Sequence, residues 1–365
     1  MPKARRINPP PPATAFRIPS KLAQLHLGIN LKKSGRRPAS FAVLSARSLE
    51  NPRHASQSSV GPPSAGGRIL FIINPAAGAN RALHRWSALR LDLLQKAFHL
   101  DQAFTRRPGE TAGLAREAAS QYDFLVAVGG DGTVSEVADG ILSTPRSRAT
   151  LAIVPFGTGN DLAGLLGIRT ADEAVRSILA GHTRPIDAIR VQCLAQSAQV
   201  ERYALLFAAV GIVAESLKKT SPAIKRIFGQ HLAYPVGLVR ALLSYQSPAM
   251  RVRCDLESFE DKFLFVAASN SEVAGGGMRI APGARLDDGL LNINLVQSLG
   301  RWRAVLQLRR LCRGQHLDHP RVCYTTAREL EIQTPSLEIA ADGELIGRTP
   351  ALIQVRPKAL PVRVP

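Results

Sequence analysis

The stretch FLVAVGGDGTVSEVADGIL, Phe124 to Leu142, decides how the chain is read. Its apolar opening predicts a buried strand, Gly129-Gly130-Asp131-Gly132-Thr133 breaks that strand, and SEVADGIL resumes as a helix. Glycines where a strand gives way to a helix let the backbone come close to phosphate oxygens, and the helix N-terminus adds free N–H groups. Asp131 is the odd member, because a bare carboxylate beside a polyphosphate repels it. It fits if a Mg²⁺ lies between the two, directly or through water. The junction reads as a phosphate cradle with a metal-binding acid inside it.

Two further strand ends carry the same chemistry: NPAAG (Asn74 to Gly78) after RILFII, and PFGTGND (Pro155 to Asp161) after ATLAIVP. In an open parallel sheet, ligands bind outside the carboxyl ends of the strands, so the three motifs should meet on one edge. Thr133 and Thr158 can donate hydroxyls to phosphate. The pattern is neither a Walker A loop nor a GxGxxG fingerprint. NRALHRWSALRLDLLQKAF predicts an amphipathic helix with Leu83, Trp86, Leu89, Leu93 and Leu94 near helical spacing, and NDLAGLLG predicts a short one. The alternation argues for an α/β nucleotide-binding domain with a parallel sheet over residues 67–185. From 186 to 365, closely spaced runs such as DAIRVQC, KFLFVAASN, LLNINLV and ALIQVRP predict an antiparallel β-sandwich or barrel. Mainly helical insertions interrupt it at about 212–247 and 300–316.

Composition narrows the function. The formal net charge is +19, which favours an anionic partner. The charge is uneven, since residues 1–67 hold eleven Lys or Arg against one acid, Glu50. Residues 1–66 are rich in Pro, Ser and Arg and read as a disordered extension, either a transit peptide or a stretch without function. The four cysteines lack metal-ligand spacing and read as reduced thiols of a cytoplasmic protein. No apolar run is long enough for a membrane-spanning helix. A nucleic-acid binder is disfavoured by few aromatics, no nucleic-acid motif and charge concentrated in the tail.

With NPAAG, GGDGT, PFGTGND, GGGMRIAPGARLDDGLLNI and ADGE in this order, the chain from about Arg68 onward resembles the diacylglycerol kinase catalytic family, which includes bacterial lipid kinases and sphingosine kinases. NAD kinases share GGDGT, but their Asn-Asn-Glu segment and TPTGSTAY-like stretch are missing, which counts against phosphorylation of a soluble nucleotide. The resemblance implies an ATP site between the two domains, with contacts from Gly129, Gly130, Asp131, Gly132, Thr133, Val134, Ser135 and Thr158, and more weakly from Asn74 and Thr105. It implies a structural Mg²⁺ on the Asp288 carboxylate and the backbone carbonyls of Arg285 and Leu290. It makes Glu344 the general base, with Asp131 as the second catalytic residue. Without it, LDDG and ADGE are ordinary hairpin turns.

The implied reaction moves the γ-phosphoryl of ATP to a lipid hydroxyl, with diacylglycerol giving phosphatidic acid. The acceptor lies in a bilayer, so peripheral membrane contact is expected, and a homodimer is compatible with the sequence. GRWRAVLQLRRLCRG (Gly300 to Gly314) has five arginines, no acid, and Trp302, Val305, Leu306 and Leu308 as apolar surface, which suits an interfacial segment. The stretch around Lys218, Lys219, Lys225 and Arg226 is a second candidate. His231, His316 and His319 form no ligand pattern.

Overall fold

The computed structural model describes residues 5–7 and 67–365, apart from 81, 96–100, 108, 181 and 220–236. The extension read from the sequence at 1–66 lies outside the described residues, except that Arg5–Ile7 pairs antiparallel with Ser258 to Glu260. Leu94, Lys225, Arg226 and His231 are also outside the description of side chains.

The first half alternates strand and helix: β1 (Ile69–Ile73), α1 (Ala82–Gln95), β2 (Asp101–Phe104), α2 (Glu110–Ala118), β3 (Phe124–Gly129), α3 (Asp131–Leu142), β4 (Thr150–Pro155), α4 (Asp161–Leu165) and α5 (Ala171–Ala180). β1 pairs parallel with both β2 and β3, and β3 pairs parallel with β4. These strands read as nearly continuous apolar runs because helices cover them, and Phe71, Ile72, Val126, Ala127, Ile153 and Val154 are fully buried. In α1, Trp86, Leu89 and Leu93 face the core while Leu83 is exposed. The predicted stripe is therefore one residue narrower than its spacing suggests.

The remaining strands are β5 (Thr183–Ala195), β6 (Ala198–Ala204), β7 (Phe207–Gly211), β8 (Ala249–Cys254), β9 (Glu257–Ser269), β10 (Leu291–Gln297), β11 (Val322–Ala327), β12 (Glu329–Ile332), β13 (Glu338–Ala341) and β14 (Glu344–Arg363). The antiparallel pairs β14–β12, β12–β8, β8–β9, β9–β7, β7–β13 and β13–β14 close on themselves. The second half is thus a flattened ring of strands, with its two faces joined at the edges. Side chains alternate as a strand's period of two requires. Ala208, Val210, Val266, Ala268, Ile293 and Leu295 fill the inside of the ring. Ala209, Phe265, Ala267 and Val296 point outward, into an apolar layer shared with the first half. That layer is covered by α6 (Ile212–Lys219), a helix at 237–244 and α7 (Arg301–Cys312).

Among the described residues most strand pairs are antiparallel, and the parallel ones lie in the first half and at one junction. At that junction β14 runs antiparallel to β5 and ends parallel to β4, with Val362 opposite Leu151. Leu360 and Val362 belong to the core of the first half. Arg363 anchors the return, with its guanidinium over the Phe124 ring and a bond donated to the Ile178 carbonyl.

Candidate active site

The three glycine motifs meet at the carboxyl ends of β1, β3 and β4. Their glycines serve loop packing first. A Cβ on Gly157 would lie 2.2 Å from the Gly130 Cα, and one on Gly129 would lie 2.4 Å from Thr133 Oγ1. GGDGT and PFGTGND therefore pack backbone on backbone, where side chains have no room. Asn160 locks the second turn from a left-handed backbone, accepting from Gly157 N–H and donating to Gly157 C=O, both at 3.0 Å. Asn74 holds the first motif to the second, donating to Thr133 Oγ1 at 3.1 Å.

Asp131 has its own work in this knot. Its Oδ2 accepts the Asn160 N–H at 2.7 Å. Burial and the neighbouring Asp161 raise its pKa, while the amides at the start of α4 oppose the rise. Asp161 in turn accepts the Gly276 N–H at 2.8 Å. That bond ties the GGGM turn, whose three glycines all have positive φ, to the PFGTGND motif of the first half. Sequence reasoning passed over Asp161, although it closes the GTGND motif.

A cleft of about 540 Å³ opens between the halves. Its lining carries Asn74, Gly130, Asp131, Gly132, Thr133 and Thr158 together with the apolar Leu206, Phe207, Val213, Leu217, Phe265 and Met278. Glu344 lines it too, with Oε1 3.9 Å from where a Cβ on Gly132 would stand. Among the described residues no lysine or arginine lines the cleft, so among them an anion would be met by amides, hydroxyls and the end of α3. That helix starts at Asp131, and Gly130 before it makes no side-chain cap, which leaves its first-turn amides for a ligand.

Glu344 sits on the hairpin between β13 and β14, where Ala341 faces Glu344 across Asp342 and Gly343. Both loop residues have positive φ, the pattern of a type I′ turn. Asp342 pins this turn. Its Oδ2 accepts Leu205 N–H at 2.7 Å and the Ser135 hydroxyl at 2.9 Å. Its Oδ1 accepts Leu206 and Phe207 N–H, both at 3.0 Å. The hairpin is thereby fixed to α3 and to the entry of β7 together. The Glu344 carboxylate is reached by solvent from the cleft, yet protein crowds it. Desolvation raises its pKa, and the negative charges of Glu136 and Asp342 add to the rise, against Arg202. One Glu136 oxygen, Oε2, is buried with no hydrogen-bond partner among the described residues.

The predicted site residues divide accordingly. Asn74, Gly130, Asp131, Gly132, Thr133, Thr158 and Glu344 come together on the cleft. Thr105 is not brought to it: the side chain is buried and its hydroxyl donates to the Ile73 carbonyl. Val134 is core, Ser135 spends its hydroxyl on Asp342, and Gly129 lies behind Thr133. Arg285, Asp288 and Leu290 form a separate loop. There Asp288 Oδ1 accepts Leu290 N–H at 3.0 Å, and Asp287 pairs with Arg184 at 2.8 Å. The fully buried Asp187 braces that loop, accepting Gly289 and Lys358 N–H at 2.6 Å each. No apolar or motif signal marks Asp187 in the sequence, and Asp342, inside ADGE, reads there only as a turn residue. His316 is buried beside the Asn294 amide, at 3.3 Å.

Two family models match in tandem: the diacylglycerol kinase catalytic domain over residues 68–191, and the YegS C-terminal NAD kinase beta sandwich-like domain over residues 209–364. A diacylglycerol kinase of Staphylococcus saprophyticus is 28% identical over 78% of this chain and 90% of its own length. One of Bacillus subtilis is 26% identical over 78% of this chain and 91% of its own. The crystal structure of a candidate diacylglycerol kinase from Bacillus anthracis covers 83% of this chain and 99% of that one, at 25% identity and a TM-score of 0.67. The family models and these relatives place the chain among phosphotransferases with an alcohol acceptor. It belongs to the diacylglycerol kinase catalytic family.

Proposed function

We propose that this chain is an ATP-dependent lipid kinase that moves the γ-phosphoryl of ATP to a lipid hydroxyl, converting diacylglycerol to phosphatidic acid. The observation that carries this reading is one cleft with two chemistries, lined both by glycine-loop amides and hydroxyls and by apolar side chains, with Glu344 in the same lining. A soluble nucleotide acceptor would leave the apolar lining without a purpose.

The phosphates of ATP lie against the first turn of α3 and the hydroxyls of Thr133 and Thr158, where the helix dipole and free amides favour negative charge. Glu344 accepts the proton of the acceptor hydroxyl as the new O–P bond forms and the bond to ADP breaks. A positioned base contributes roughly 10²–10⁴ in rate. Its raised pKa makes it a better proton acceptor than an ordinary glutamate. Asp131 and Asp161 fit a Mg²⁺ at the phosphates: the two acids repel each other, and an oxygen donor set completed by phosphate suits that ion. Bound there, it would neutralise charge on the transferring group. The carboxylate of Asp288 with the carbonyls of Arg285 and Leu290 is an all-oxygen set that would hold a second, structural Mg²⁺.

The acceptor is reached from the membrane surface. No helix among the described residues is long and apolar enough to cross a bilayer. On α7, Trp302 is 75% and Leu306 76% exposed, beside the exposed Arg303, Arg309 and Arg310, a face suited to an anionic lipid surface. The test is labelled ATP with a panel of lipids and of nucleotides. Labelled phosphatidic acid is expected; label on NAD alone would overturn the reading.

A further inference from the structure

Glu136 has no part in the reaction described above, yet its setting is unusual for a carboxylate. It stands on α3 four residues beyond Gly132, and residues four apart share a helix face. Helical side chains lean toward the helix N-terminus, so Glu136 reaches back over Gly132. Glu344 stands at that place, with its Oε1 3.9 Å from the position a Cβ on Gly132 would take. Of the charges that act on Glu344, Glu136 is the strongest, ahead of Asp342 in the same turn, Arg202 of β6 and Asp139 of α3.

Glu136 Oε2 is buried with no hydrogen-bond partner among the described residues. The nearby guanidiniums are turned to another acid: Arg202 lies 3.1 Å and Arg116 3.7 Å from Asp139 Oδ2. Asp139 also accepts the Tyr203 N–H at 2.8 Å. One acid of this face is therefore well supplied with donors, while the acid next to the base is not. A buried acceptor without a donor is costly, and Glu344 has no proton to offer it until the reaction supplies one.

We propose that Glu136 is a positioning residue for the base: as Glu344 takes the proton of the acceptor hydroxyl, its new O–H donates a hydrogen bond to Glu136 Oε2. The proposal rests on the lipid-kinase reading and deepens it. Before the transfer, two ionised carboxylates face each other and repel. After it, a carboxyl donates to a carboxylate, which is one of the stronger hydrogen bonds. Repulsion gives way to attraction along the reaction, and an interaction that is stronger in the transition state than before it raises kcat. The proton passes from the hydroxyl oxygen to Glu344, the O–P bond forms, the bond to ADP breaks, and Glu136 keeps its charge throughout.

The test compares Glu136→Gln with wild type and with Glu344→Gln, alone and combined. Glutamine accepts only a neutral hydrogen bond, and its NH₂ can donate to the ionised Glu344, which favours the state before transfer. With diacylglycerol as acceptor, kcat should fall about tenfold to a hundredfold, the worth of a charge-assisted hydrogen bond. ATP affinity should change little, and the melting temperature should equal or exceed that of wild type, because a buried repulsion is gone. In the Glu344→Gln background the same change should leave kcat within about twofold, since no proton reaches residue 344. Glu136→Ala carries the comparison if Glu136→Gln does not fold. Wild-type kcat in a folded Glu136 variant, or a full further loss on top of Glu344→Gln, overturns the proposal and leaves the kinase reading intact. So does a kcat that falls only together with the melting temperature. A wild type that phosphorylates no diacylglycerol overturns the kinase reading, and the role of Glu136 with it.

Discussion

Asp342→Asn tests whether the base is held in place by the carboxylate beside it. Asp342 accepts three backbone N–H groups and the Ser135 hydroxyl, two donors on each oxygen. Asparagine keeps one accepting oxygen and presents an NH₂ where the other stood, so two buried donors lose their acceptor. Each such loss costs about 1–3 kcal/mol. If Ser135 is among them it can turn elsewhere, which puts the total near 3 kcal/mol, or a fall in melting temperature of roughly 6–12 °C. Ser135→Ala removes one donor and leaves the three amides paired, so it should cost only about 1 kcal/mol. Because Asp342 and Glu344 share one tight turn, kcat for lipid phosphorylation should fall about tenfold to a hundredfold, with a smaller effect on ATP affinity. Thermal melting, ATP binding and kcat are read on one preparation. An Asp342→Asn protein that melts within about 1 °C of wild type would refute the reasoning.

Other expectations follow from single contacts. Glu344 acts ionised, so activity is lost as pH falls through its raised pKa, at a higher pH than for an ordinary glutamate. Glu136→Gln removes one of the charges that raise it, so the acid limb of the kcat–pH profile should move to lower pH; an unmoved limb counts against Glu344 as the titrating group. Gly157→Ala drives a Cβ to 2.2 Å from Gly130 Cα and should cost about 3 kcal/mol or more, whereas Gly164→Ala, with open space around it inside α4, should stabilise by up to about 1 kcal/mol; urea unfolding compares them. Mg²⁺ should raise the melting temperature of the wild type more than that of Asp288→Ala, and equal gains would remove Asp288 as a ligand.

Much of the fold was legible because buried parallel strands announce themselves as apolar runs. Phe124 to Val128 and Leu151 to Pro155 needed no context. β2 was missed, since Asp101-Gln102-Ala103-Phe104 pairs on one side with β1 and carries only one well-buried side chain. The return of β14 to β4 was hidden for a different reason, because a strand that leaves one layer for another keeps the same local pattern. In the site, the glycine motifs were visible, but their first cause was not. Gly130 and Gly157 are small because two loops touch, and contact between residues far apart in sequence has no local signature. Ser135, an ATP contact by the family resemblance, donates its hydroxyl to Asp342, and a pairing across 207 residues likewise leaves no local signature. Asp187 carries no motif at all, and only its burial marks it.

The most direct test of the account is Glu344→Gln, which keeps the side chain's shape and removes the proton-accepting carboxylate. Lipid phosphorylation and ATP binding are measured on the same sample, with diacylglycerol as acceptor. The account predicts a kcat lowered by roughly 10²–10⁴ with ATP affinity nearly unchanged. A variant that phosphorylates diacylglycerol at the wild-type kcat would contradict it.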